Sequence, residues 1–282
     1  MKLCYQVATP DVEIAPSVTA FQGSLEESFS ALSAMGYDGV ELMTLDPSKL
    51  DWEEVKRTAE KYSLATPLVC TGEVFGQLGI SFSDPDENIR KEAITRVKEI
   101  IDFAGYLGAN INIGRVRGQY KDNVSREDTE KWALEAFREI SVHAEEKGAE
   151  IALETVTIMQ TNFVNTLEEA KQFVEKVGRK SFKLMMDVFH MNIEEKDVLK
   201  AIKEYSPYNI HVHLADNNRR FPGACGLDFE KILRAFKDAG YDGAFCTEIF
   251  QIPNQEEAAK ESMRCLAPIL EKVYGRKTKG IC

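Results

Sequence analysis

The amino-acid sequence predicts a (β/α)8 barrel folded as a single domain over residues 1–282. Three observations predict it. Short β-rich runs alternate with longer helical patterns eight times along the chain. A helix-ending glycine recurs at the same junction of several units. Polar residues close four successive apolar runs in the second half of the chain. A repeating βα order implies a parallel sheet with right-handed crossovers.

Taken in order, the strands are expected at Leu3–Ala8, Gly39–Met43, Ala65–Cys70, Asn110–Gly114, Glu150–Thr155, Lys183–Asp187, Asn209–Leu214 and Ala244–Ile249. The helices between them are expected at Ser24–Met35, Trp52–Tyr62, Asp86–Leu107, Glu127–Lys147, Leu167–Val177, Lys196–Tyr205, Phe229–Ala239 and Glu256–Tyr274. Within the third of these, Ile94, Val97, Ile101 and Ala104 recur at helical spacing. The segment Ala34-Met-Gly-Tyr-Asp-Gly-Val is echoed by Asp238-Ala-Gly-Tyr-Asp-Gly-Ala. Each copy ends a helix at glycine and starts the next strand. Gly108 and Gly148 punctuate the same junction, because the residue after a helix often takes a positive φ that costs glycine nothing. A doubly wound open sheet is the alternative. The glycine fingerprint that usually follows its first strand is missing here.

Composition sets the class. A chain of 282 residues suits one large α/β domain, since barrels of roughly 250 residues fold as a unit. Such a chain buries about three quarters of its unfolded surface and needs no disulfide staples. Cysteines at positions 4, 70, 225, 246, 265 and 282 form no Cys-x-x-Cys pair and no zinc-finger spacing. They read as thiols in a reducing compartment. The N-terminus lacks the regions of a signal peptide, and no apolar run reaches the roughly 18 residues needed to span a bilayer. A net charge of −11 disfavours phosphodiester backbones. The expectation is a soluble cytoplasmic protein with no membrane or nucleic-acid partner.

In a β/α barrel the chemistry sits at the C-terminal ends of the strands. Ile151-Ala-Leu-Glu154, Leu184-Met-Met-Asp187 and Phe245-Cys-Thr-Glu248 each end in a carboxylate, and His211-Val-His213 ends in an imidazole. Any one of these acids alone reads as a helix cap or salt-bridge partner. Four polar ends on successive strands point to a shared centre. Glu154, Asp187, His213 and Glu248 are therefore candidate ligands of a divalent cation, which relieves the repulsion among three carboxylates. The donors suit Mn²⁺, Mg²⁺, Co²⁺ or Zn²⁺. His211 shares a face with His213 one layer deeper and is expected as a hydrogen-bonded core group. His143, in mid-helix, is expected at the surface. Arg115 and Arg117 follow the fourth strand, where two arginines either clamp a phosphate or carboxylate or neutralise acids at the barrel mouth.

Several segments carry a family resemblance. They are Ala152-Leu-Glu154 through Asn165-Thr166, Asp187-Val-Phe-His190-Met-Asn, His211-Val-His213 through Arg219-Arg-Phe-Pro-Gly223 with Leu227-Asp-Phe, and Thr247-Glu248. Over most of its length the chain resembles the xylose isomerase-like TIM-barrel superfamily, and within it the ketose 3-epimerases of the D-tagatose 3-epimerase family. The resemblance implies a metal-dependent sugar epimerase or isomerase, with Mn²⁺ the first choice of ion. Glu154, Asp187, His213 and Glu248 match the family's metal ligands. Glu154 and Glu248 also match its acid/base pair, which moves a proton through an enediolate. His190 and Arg219 match groups that hydrogen-bond the carbonyl end of the sugar. Gln160 stands where these epimerases carry a substrate-binding Glu, and Cys225 where a Gly usually follows Pro-Gly. The first departure bears on which sugar is bound.

Gln160, Glu73 and Arg117 complete the expected substrate contacts. Phe75 and Phe221 are candidates to cover the sugar's apolar face. The expected partner is a sugar or sugar phosphate, and the chain is expected to form a dimer or tetramer. A dehydratase acting on an inosose or dehydroshikimate, with the same metal and a similar base, is the rival reading. An abasic-site nuclease on this barrel would need several more histidines than the four present. An intact acid/base pair argues against a non-catalytic sugar-binding barrel.

Overall fold

The computed structural model describes residues 1–275. Eight parallel strands close into a ring in chain order. They are β1 (Lys2–Ala8), β2 (Gly39–Met43), β3 (Leu68–Cys70), β4 (Asn110–Ile113), β5 (Ile151–Glu154), β6 (Phe182–Asp187), β7 (Asn209–Leu214) and β8 (Ala244–Thr247). The ring shuts where β8 pairs with β1, Leu3 facing Phe245 and Cys4 facing Cys246. The helices are α1 (Leu25–Ala34), α2 (Trp52–Lys61), α3 (Gly72–Leu78), α4 (Glu87–Leu107), α5 (Arg126–Lys147), α6 (Leu167–Val177), α7 (Val188–Glu194), α8 (Val198–Tyr205), α9 (Phe229–Asp238) and α10 (Gln255–Tyr274).

Local chemistry explains the boundaries. Ser24 with Glu27, and Thr166 with Glu169, form capping boxes that start α1 and α6. Gly36, Gly108, Gly148 and Gly240 all take positive φ at the expected stops. β3 starts at Leu68 rather than Ala65, because Pro67 has no N–H for the ladder and Ala65 makes only an isolated bridge to Gly39. The short helices α3 and α7 were not expected from the periodicity, since seven residues hold too few turns to repeat an apolar spacing.

The outer layer packs by amphipathic stripes. α4 buries Ala93, Val97, Ile100, Ile101, Phe103 and Ala104, and α9 buries Phe229, Ile232, Leu233 and Phe236. Inside the ring the filling is unusually polar. Glu41 on β2 meets His211 and His213 on β7. Those strands are not neighbours, so the three side chains cross the interior. His143 corrects its expected surface position: it is half-buried on α5, with Nε2 2.8 Å from Asp102 of α4. Cys70, Cys225, Cys246 and Cys265 are unpaired thiols, and Cys282 lies outside the described residues. No helix among the described residues is long and apolar enough to cross a membrane.

Candidate metal centre and substrate cavity

Four polar ends meet at the C-terminal mouth of the ring. Glu154 ends β5, Asp187 ends β6, His213 is the penultimate residue of β7, and Glu248 follows β8 by one residue. One ligand atom from each lies within 4.8 Å of the others, and all four residues are buried or nearly so. His213 Nδ1 stands 2.7 Å from Glu248 Oε2, 3.5 Å from Glu154 Oε1 and 3.6 Å from Asp187 Oδ2. Yet this buried nitrogen makes no hydrogen bond. An imidazole nitrogen aimed at three carboxylates without a hydrogen-bond partner is the donor arrangement a hard or borderline divalent cation fills. The residues present therefore fit a metal ion.

Asp187 reconciles two readings of a strand-end acid. Its Oδ1 accepts from the backbone N–H of Phe189 and His190, 2.8 and 3.2 Å away, and so starts α7. Its Oδ2 faces the centre. Arg219 donates to that Oδ2 at 2.6 Å and to Glu248 Oε2. Arg219 has φ 58, a left-handed backbone that costs a non-glycine residue about 1–2 kcal/mol. Two backbone bonds of 2.8 Å hold it there, Arg219 N to Asp216 O and Phe250 N to Arg219 O. Asp216, which sequence reasoning passed over, organises this loop. Its carboxylate accepts from the backbone N–H of Gly223, Cys225, Gly226 and Leu227. Cys225 thus contributes its main chain while its side chain is exposed, so the departure from glycine leaves the loop intact.

The electrostatics separate the carboxylates. Burial raises the Glu154 carboxyl above its usual range, with Glu248 and Asp187 adding to the effect against His213. Burial would also raise Asp187, but Arg219, His190 and His213 outweigh it and hold it well below. Burial is likewise outweighed at Glu248, which Arg219 and His213 bring down to about 2. Burial would lower His213, but Glu41 and Glu248 lift it well above 6.5. His190 is pushed down to about 4 by burial. Its Nδ1 accepts from Thr157 N at 3.3 Å, so its Nε2–H is the free donor.

The cavity over the centre is lined by Glu154, Glu248, His190 and Arg219, with Glu73, Arg115 and Gln160 farther out. Met43, Cys70, Val156 and Phe250 supply its apolar wall. Phe250 takes the place expected of Phe75 and Phe221. Phe75 instead lies under the Arg115 guanidinium, and Phe221 packs on the core. Arg117 corrects the expected arginine clamp. It is fully buried and spends its donors on the carbonyls of Phe163, Gly114 and Val164 at 2.9, 2.6 and 2.8 Å. Arg115 does face the cavity, paired with Glu73 at 3.6 Å.

Sequence reasoning also missed residues that hold the candidate ligands. Thr19 donates to Glu248 Oε1 at 2.9 Å, and Asn112 to Glu154 Oε2 at 3.0 Å. These lie in the first half of the chain, and Asn112 shares its face of β4 with Asn110.

Fold and centre together define a closed (β/α)8 barrel with a buried site fit for a divalent metal at its C-terminal mouth. The chain belongs to the xylose isomerase-like TIM barrel family, whose model matches residues 29–269. A D-psicose 3-epimerase of Ruminiclostridium cellulolyticum is 29% identical over 174 residues, 60% of this chain and 59% of that protein. An inosose isomerase of Bacillus velezensis is 26% identical over 98% of each chain. A solved L-ribulose 3-epimerase structure superposes with a TM-score of 0.81 at 21% identity, over 96% of this chain and 95% of that one. The relatives are sugar epimerases and isomerases of several distinct activities.

Proposed function

We propose that the protein is a metal-dependent ketose 3-epimerase acting on an unphosphorylated sugar. The observation that carries the reading is the pairing, in one cavity, of two buried glutamates with a histidine nitrogen that only a proton or a cation can satisfy. Glu154, Asp187, His213 and Glu248 would hold the ion, with Mn²⁺ first among the candidates. A bound ion supplies Lewis-acid stabilisation of negative charge on the substrate oxygens, worth several kcal/mol.

The chain's own residues do the rest. One of Glu154 and Glu248 takes the proton from the carbon beside the carbonyl, giving an enediolate, and the other returns a proton to it. General acid/base steps of this kind contribute about 10² to 10⁴ each. His190, neutral and donating through Nε2, and Arg219 orient the carbonyl end. With Arg117 withdrawn into backbone contacts and Arg115 paired to Glu73, the outer cavity offers hydrogen bonds rather than a phosphate clamp. Glu73, Arg115 and Gln160 are proposed to meet the far hydroxyls.

A second reading is proton transfer on a cyclic keto-polyol. The full-length match to an inosose isomerase favours it. One panel separates the readings: free ketoses, their phosphates and inososes, each with Mn²⁺ in deuterated water, followed by NMR and mass. Deuterium at carbon 3 of a free ketose, with its epimer as product, is expected. Glu154→Gln is expected to abolish this exchange, and full exchange in that variant would refute the assignment.

A further inference from the structure

We propose that Glu41 is a positioning residue for the metal centre: a carboxylate buried beneath His213 that grips its Nε2–H and thereby presents Nδ1 to the ion. The inference rests on the reading of the centre as a divalent-metal site.

Glu41 is fully buried on β2 and receives three side chains. Gln6 Nε2 donates to Oε1 at 2.7 Å. His211 Nε2 lies 2.8 Å from Oε2. His213 Nε2 lies 2.9 Å from Oε2 and 3.1 Å from Oε1. An ionised carboxylate only accepts, so each nitrogen facing it brings its own proton. A neutral His213 must then carry its proton on Nε2 and its lone pair on Nδ1. That nitrogen is the one without a hydrogen bond, turned towards Glu154, Asp187 and Glu248. His211 adds a steric constraint, its ring meeting that of His213 edge-on at 5.3 Å and 85°. Ring orientation and tautomer are both set from below. A histidine ligand commonly donates its other N–H to a carboxylate, which fixes the ring and raises its basicity.

Among the described residues, the hydrogen bonds of His213 Nε2 go to Glu41. Glutamine at position 41 has one accepting oxygen and one donating nitrogen, and cannot accept from Gln6, His211 and His213 together. Both ring nitrogens already share Oε2, so an amide oxygen there still accepts from them, but the amide nitrogen then meets Gln6 Nε2 and the negative charge that polarises the His213 ring is gone. Glu41, His211, His213 and Cys246 also lie close enough to be considered as ligands themselves. Direct hydrogen bonds at 2.8 and 2.9 Å already close the space between the carboxylate and both rings.

The test uses the full-length protein stripped of metal. Mn²⁺ is titrated into wild type, Glu41→Gln and Glu41→Asp, with free Mn²⁺ read by electron paramagnetic resonance and the melting of each metal-free form recorded alongside. Glu41→Gln is expected to bind Mn²⁺ about 10- to 100-fold more weakly while still folded, with Glu41→Asp in between. Wild-type affinity in Glu41→Gln overturns the inference. Should that variant not fold, wild-type affinity in Glu41→Asp overturns it equally. A merely structural role would lower melting and leave the affinity of the folded protein unchanged. A second readout is the ¹⁵N spectrum of the Zn²⁺-loaded wild type, where the His213 proton is expected on Nε2; a proton on Nδ1 overturns the inference. Two ions per chain, one of them lost in Glu41→Gln, would make Glu41 a ligand and overturn it as well. Failure of wild type to bind Mn²⁺ or Zn²⁺ at all is a different result: it refutes the metal-site reading itself, and this inference with it.

Discussion

Replacing Gly114 with alanine tests how closely the centre is fitted. An alanine Cβ at that position would stand 2.9 Å from Glu154 Oε2 and 3.9 Å from its Cδ. Ordinary contact begins at about 3.4 Å, so the carboxylate must retreat by about 0.5 Å. The same oxygen accepts the Asn112 side chain at 3.0 Å, and it cannot yield without stretching or turning that bond. A displacement of about 1 Å in a reacting group costs on the order of 10² in rate, and half of it roughly 10-fold. Gly114→Ala is therefore expected to slow deuterium exchange into the substrate by about 10- to 100-fold and to weaken Mn²⁺ binding. Circular dichroism should stay near wild type, because the clash falls on the end of one side chain and not on backbone. The assay is the exchange rate at saturating substrate and metal. Unchanged exchange and unchanged affinity would show that Glu154 has slack, and would refute the argument that its placement limits the chemistry.

Other outcomes follow from the same geometry. Arg117→Leu strands three carbonyls and is expected to cost about 3 kcal/mol or more in denaturant unfolding, with KM unchanged in the folded protein; a raised KM at wild-type stability would restore it as a substrate clamp. Against the effect of burial, Glu41 and Glu248 raise the His213 imidazole above its ordinary value, so a bound ion competes with a proton on that ring. A raised value in the free form means metal affinity grows with pH and levels off above that value. Calorimetry in buffers of different ionisation enthalpy should find proton release at pH 7, and none would contradict this assignment.

The order of the eight units was legible because each is short and separately punctuated. Alternating composition and helix-ending glycines survive as local signals, and Gly36, Gly108, Gly148 and Gly240 mark them. The four residues proposed to hold the ion stood out too, since each is a polar residue at or near the end of an apolar run, and the fold brings them together. What surrounds them did not. Glu41 sits inside Gly39–Met43 as a lone acid whose partners are 170 and 172 residues away in sequence, and no spacing rule links β2 to β7. Arg117 looked like a ligand-binding arginine because sequence shows charge and not direction. Its guanidinium turned inward once the β5–α6 loop offered two of its carbonyls, Phe163 and Val164. Phe250 was hidden by the brevity of β8, which stops before Glu248 and lets the following loop bend back over the mouth.

The four proposed ligands come from the ends of β5 to β8, while Glu41, Thr19 and Asn112, which hydrogen-bond three of them, come from the first half of the chain. This division has a consequence for how such a barrel changes over generations. Glu41 and Asn112 sit in buried strand positions, where a substitution disturbs packing and geometry at once. The rest of the cavity wall, by contrast, comes from Glu73 on the short helix α3 and from the loops at Arg115, Gln160 and Phe250, none of which lies in a strand. Those loops can be rewritten residue by residue without touching the ion's cradle. A lineage built this way keeps one reactive machine and trades the sugars it accepts.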